Sequence, residues 1–197
     1  MTVRREIHPD WYHPIVGMVT LIVGSYPPVR EKWDFLFYYP NKQNRMWQVL
    51  AQIAHKPLVH FNGEEAVKER KSLMKDLRVG VQNIGRGIER KSNSSLDSNI
   101  TIYDYHDILS LIQSNQSLTT IILTGYSGTY SALNTFKRYL RKNKIKYSWL
   151  QSHGEARLFH FEYGRKIKCV VVNSTSTRAC SIPLEKLLSQ FRLGLGL

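Results

Sequence analysis

The amino-acid sequence predicts an α/β domain built on a mostly parallel sheet. Short β-branched runs alternate with amphipathic stretches along the chain, which is how parallel strands and their crossover helices follow one another. The run VTLIVGS, residues 19–25, is apolar without alternation, as a strand covered on both faces should be. A chain of 197 residues, 42% of them hydrophobic, can bury a real core without covalent staples. One domain over 1–197, with its core at about 18–192, is therefore expected.

After the first strand, a helix is expected at 44–54, with Met46, Trp47, Leu50 and Ile53 on one face. Pro57 then introduces LVHF as a second strand. A charged helix follows at 64–79, with Val67, Met74 and Leu77 inward and Gly80 as its left-handed stop. GRGIERKSNSSLDSN, rich in Gly, Ser, Asn and basic residues, reads as a loop. A short helix at 105–113 has Asp104 as its cap, and TTIILTG, ending at Gly125, is a strand. The helix at 128–141 turns Tyr130, Leu133, Phe136, Tyr139 and Leu140 to the sheet. IKYSWL and KIKCVVVNS are further strands. PLEKLLSQFR is the last helix, with Pro183 in its first turn, and LGLGL is a frayed tail.

The charge narrows the partners. Twenty-eight Lys and Arg against 15 Asp and Glu give a formal net charge of +13, a field that favours a polyanion, most commonly nucleic acid. Cys169 and Cys180 are too few for a disulfide framework and lack zinc-ligand spacing, so a reducing cytoplasm is the expected location. The opening MTVRREIHPDWYHPIV is interrupted where a signal peptide needs an apolar centre. No apolar run approaches the roughly 20 residues that span a bilayer. Of the seven histidines, His13, His55, His60, His106, His153 and His160 show no catalytic spacing and read mainly as surface or packing residues.

In an open parallel sheet, ligands bind beyond the carboxyl ends of the strands. Two unusual loops leave strands there, GSYPPVREKWDFLFYYPNKQNR and NSTSTRACS, and together they can frame one cleft. The first lacks the glycine spacing of a dinucleotide fingerprint or a P-loop. Its Tyr38 and Tyr39 precede Pro40 and offer rings on which a base can stack. In the second, Ser174, Thr175 and Ser176 suit phosphate oxygens, or simply cap a turn. Arg178 can enter a groove or the space left by a flipped base.

In this order the pieces resemble the uracil-DNA glycosylase superfamily, and most closely its mismatch-specific and hypoxanthine-DNA glycosylase-like branches. GSYPP is similar to that family's first-strand turn, YYPNKQNRMW to its aromatic and Asn-Arg segment, SLDSNI (95–100) to its mid-chain motif, and NSTSTR to its second motif. The resemblance implies a three-layer α/β/α sandwich around a central, mostly parallel sheet. It also implies a monofunctional, cofactor-free and metal-free DNA-repair glycosylase, acting as a monomer on double-stranded DNA. By this resemblance Asn44 positions water, and Tyr26 stands where many relatives carry the residue that orients it. Tyr38, Tyr39, Ser25 and Thr124 would bind the base, and Ser174, Thr175, Ser176, Arg178, Asn41 and Arg45 the DNA, with Arg45 alternatively a structural ion-pair partner. The chain departs from the family at Tyr26, at Ile84-Gly85 where relatives have Trp-Asp, and at Thr124-Gly125 where they have Asn-Gly. Thr124 cannot present the paired donor and acceptor of an amide. A catalytically silent nucleic-acid-binding relative is the alternative these departures favour. A basic α/β protein acting on RNA or a small nucleotide is a third reading, resting on charge and architecture alone.

Overall fold

The computed structural model describes residues 3–92, 99–152 and 156–197. Along these residues run β1 (Val3–Ile7), β2 (Thr20–Gly24), α1 (Met46–Ile53), α2 (Gly63–Leu77), β3 (Val79–Asn83), β4 (Gly85–Lys91) and β5 (Ile100–Tyr105). They continue with α3 (Ile108–Ser114), β6 (Thr120–Thr124), α4 (Ala132–Lys142), β7 (Tyr147–Trp149), β8 (Arg157–Glu162), β9 (Lys166–Val172) and α5 (Leu184–Leu195).

The result is a mixed α/β fold around a central sheet ordered β3-β2-β6-β9-β8-β7. β3, β2, β6 and β9 are parallel, and β8 and β7 extend the sheet antiparallel. The unbroken apolar runs occupy its middle, where Leu21–Val23, Ile121–Leu123 and Val170–Val172 are buried. α5 packs on β9 and β6, α1 packs on α5, and α4 packs on β6. At Gly194 the approach of α5 is so close that a Cβ would lie 2.5 Å from Ile122 Cδ1. β1, β4 and β5 form a second, antiparallel sheet.

Several sequence expectations are corrected. LVHF has no regular structure. The left-handed stop of α2 is Arg78 (φ 52°), which frees Gly80 to enter β3. GRGIERK is strand rather than loop, because it pairs with β1 on one side and β5 on the other. Asp107 caps α3 by accepting from Ser110 N, while Asp104 lies in β5. α4 begins four residues late, at the Ser131 cap. The tail is no fray either, since α5 continues to Leu195 with Gly194 buried. The SLDS part of the mid-chain motif and His153 lie outside the described residues.

Candidate functional site

β3 and β6 flank β2 on opposite sides, so the chain reverses direction across the sheet between β2 and β6. The crevice beyond their carboxyl ends is where such a sheet receives a ligand. A cleft of about 450 Å³ opens there. One wall is the loop after β2 (Gly24–Pro28, Tyr39–Asn41 and Asn44). A second follows β6 (Thr124–Ser131), a third follows β9 (Ser174–Ala179), and Asn83 closes the end of β3. The two loops singled out from sequence do meet. The β6 loop and Asn83 join them unannounced.

The loop after β2 splits its two tyrosines. Tyr38 is fully buried, its hydroxyl donates to Gln82 Oε1 (2.9 Å), and its ring packs among His8, Trp11 and Phe37. It is core and cannot stack on a base. Tyr39 takes a left-handed backbone (φ 49°) that turns its ring the other way, into the cleft. Its hydroxyl lies 2.8 Å from Thr124 Oγ1, which is itself 3.4 Å from Val23 O. Gly24 makes room for this convergence: a Cβ there would stand 2.7 Å from the Asn83 amide and 2.9 Å from Tyr39 Oη.

Asn44 lies on the cleft wall, where its Oδ1 accepts from Met46 N (3.0 Å) in an Asx turn that leads into α1. Trp47 anchors the same helix by donating to Tyr38 O (2.8 Å). Asn41, also on the wall, accepts from Gln43 N. Arg45 is a clamp rather than a DNA ligand. Its guanidinium donates to Ile182 O (2.5 Å) and Ala179 O (2.6 Å), and its backbone N to Thr175 O (3.0 Å). It therefore ties the β2 loop to the β9 loop through carbonyls, not through an ion pair.

In the β9 loop, Ser174 Oγ donates to Ser176 Oγ (3.1 Å) and accepts from Ser176 N. Thr175 is 1% exposed, so its side chain is part of the packing, whereas Arg178 stands exposed at the rim. The charged side chains lining the cleft are Lys32 and Arg178, both cations. Ser25 and Tyr26 line it beside Pro27. Burial, chiefly, pushes the phenols of Tyr26 and Tyr39 up, so both stay protonated. Tyr26 packs edge-on to His8 and beneath Arg90, and as a neutral phenol it can donate a hydrogen bond but cannot act as a base.

Asn83 was missed from sequence. It is 6% exposed, and its carboxamide lies 3.0 Å from His8 Nε2. Its backbone carbonyl lies 2.9 Å from His106 Nδ1. The two rings pack edge to face, 4.9 Å apart. His106 is thus half-buried and committed, not a bystander. The amide that Thr124 cannot supply is present at the end of β3, across β2 from Thr124.

Neither a protein-family model nor a curated protein matches the sequence. Among solved structures, the solution NMR structure of a "putative uracil DNA glycosylase" from Methanosarcina acetivorans is similar, at 17% identity and a TM-score of 0.59. The match covers 94% of this chain and 98% of that one, a likeness of fold over nearly the whole length.

Proposed function

We propose that this chain is a monofunctional DNA glycosylase that hydrolyses the N-glycosidic bond of a flipped, deaminated base, uracil or hypoxanthine. The observation that carries this reading is the cleft itself. It gathers an aromatic ring (Tyr39), amides (Asn44, Asn83), a hydroxyl loop (Ser174, Ser176) and a rim arginine (Arg178) at the switch point of the sheet. The solved structure with the same fold, described as a glycosylase, supports it. On this reading the sheet is the middle layer of an α/β/α sandwich, with α5 on one face and α4 on the other.

A base within the stack is out of reach, so it must rotate out of the duplex. Arg178 fills the space it leaves, the Ser174–Ser176 loop holds the flanking phosphates, and Tyr39 stacks on the base. The C1′–N bond breaks with its electron pair passing to the base, water adds to C1′, and the proton that water gives up ends on the departed base. Hydroxyl donors aimed at the base lower the barrier to its departure, and Asn44 holds the water. The decisive experiment incubates purified protein, in excess, with duplexes carrying uracil, hypoxanthine or other deaminated bases. Release of one of them is expected; intact duplexes throughout refute the reading.

One observation favours a silent binding relative instead. No acid or imidazole lines the cleft among the described residues, so water there is positioned but not deprotonated. Duplex binding without base release is the outcome that distinguishes it.

A further inference from the structure

The Asn83 carboxamide is held from behind by the amino-terminal segment. His8 follows β1 and is 6% exposed. Its Nδ1 lies 2.5 Å from Pro9 O and its Nε2 3.0 Å from the Asn83 amide. Around it pack Trp11, Tyr26, Tyr38 and His106. Asp10 is the acid that acts on it directly; Arg86 and Asp104 act on His106, and the Glu6–Arg90 pair lies behind Tyr26. Burial lowers the His8 pKa to about 4, so at neutral pH the ring is uncharged and carries one N–H.

Pro9 O can only accept, so that single proton sits on Nδ1. Nε2 is then a lone pair and needs a donor. The oxygen and nitrogen ends of a carboxamide are assigned by their partners, and here the partner must be Nδ2. As the structure stands, Oδ1 faces His8 and Nδ2 lies over Gly24; exchanging the two ends puts the oxygen over Gly24, beside Tyr39 Oη. The backbone of Asn83 is fixed independently, by His106 at its carbonyl and by Gln82 Oε1 at its N–H. Rotation of the amide is the freedom left, and His8 decides it.

We propose that His8 is a positioning residue which holds the Asn83 amide oxygen toward the cleft, so that the site selects a base edge bearing a ring N–H. The selection of bases rests on the glycosylase reading above. Deamination converts the ring nitrogen beside the exocyclic amine of cytosine or adenine from a lone pair to an N–H, and the amine to a carbonyl. An acceptor at Asn83 meets that new N–H. Thr124 Oγ1 donates to Val23 O, so the Tyr39 hydroxyl donates to Thr124, and recognition of the new N–H falls to Asn83. The undamaged base would set lone pair against lone pair.

Two measurements on the full chain test this. Long-range nitrogen-15 NMR at pH 7 should show His8 as the Nδ1–H tautomer, with hydrogen-bond coupling from Asn83 Nδ2–H to His8 Nε2. An Nε2–H tautomer or an imidazolium overturns the positioning role whether or not the protein turns over. In base-release assays His8→Phe fills the same space but lets the amide rotate. It should lower kcat/KM on the deaminated duplex about tenfold and narrow discrimination against the parent base. His8→Gln, which restores an acceptor, should recover both. Unchanged discrimination in His8→Phe, with wild-type turnover intact, overturns the proposal. A wild type inert on every duplex overturns the glycosylase reading and the base-selecting part with it, while the tautomer still decides the positioning part.

Discussion

Asn44 does two things with one carboxamide: its oxygen closes the Asx turn into α1 through Met46 N, and it presents the group to the cleft. The two are separable. Asn44→Ala should cost about 1 kcal/mol of stability from the lost hydrogen bond and slow base release by about a hundredfold. Asn44→Ser, whose hydroxyl can close the same turn, should restore the urea midpoint but not the release. Equal recovery of both would leave the amide without a chemical role. At this scale the sequence was legible where a residue's strand was legible, as for Thr124 and Ser174. Tyr38 and Tyr39 show why the rest was not. Adjacent identical side chains point apart, and which one enters the core depends on a positive φ at the second. Asn83 was hidden for another reason: with Gly80 taken as the stop of a helix ending at 79, residues 81–83 read as no element at all, whereas they belong to β3.

Among the elements, the central strands were readable because burial on both faces writes itself as a continuous apolar run. β1 and β4 carry no such mark. VRREI and GRGIERK are charged, and VRREI becomes a strand only by pairing with GRGIERK, a segment 80 residues or more away, Val3 opposite Lys91 and Ile7 opposite Gly87, while GRGIERK pairs with β5 on its other side. Local pattern cannot show a partner at that distance. The end of α5 misled differently: LGLGL has the composition of a fray, yet Gly194 is what lets the helix touch β6. Gly194→Val should therefore destabilise the fold by about 2 kcal/mol through overpacking against Ile122, read as a lowered urea midpoint with unchanged slope. An unaltered midpoint would mean that α5 can lift from the sheet without loss.

For the molecule as a whole, the net charge of +13 sets a dependence on salt. If affinity for duplex DNA is phosphate-driven, log K should fall linearly with log salt, losing about 10³ or more between 50 and 200 mM for six or more phosphate contacts. A flat response would argue against a DNA partner. Stability should also depend on pH through His8, whose pKa is lowered by burial from 6.5 to about 4. A depressed histidine stabilises the fold fully above its unfolded pKa, and that contribution is lost as pH falls from about 6.5 through about 4. Its full size is about 3 kcal/mol. Denaturant titrations at pH 7 and pH 4.5 should show the loss, and His8→Phe should remove most of it. No helix among the described residues is long and apolar enough to cross a membrane.

The Arg45 clamp has a mechanical side. By bonding Ala179 O and Ile182 O it makes the β2 and β9 loops one jaw. The opposite wall belongs to α4, because Asn134 holds Gly128 O and Arg138 holds Thr129 O. The aperture thus has two sides, each tied by hydrogen bonds. To widen it, the jaw that Arg45 ties must part from the wall that α4 holds, so admission of a bulky guest is governed by how far β2 and β9 can move against β6, which lies between them in the sheet.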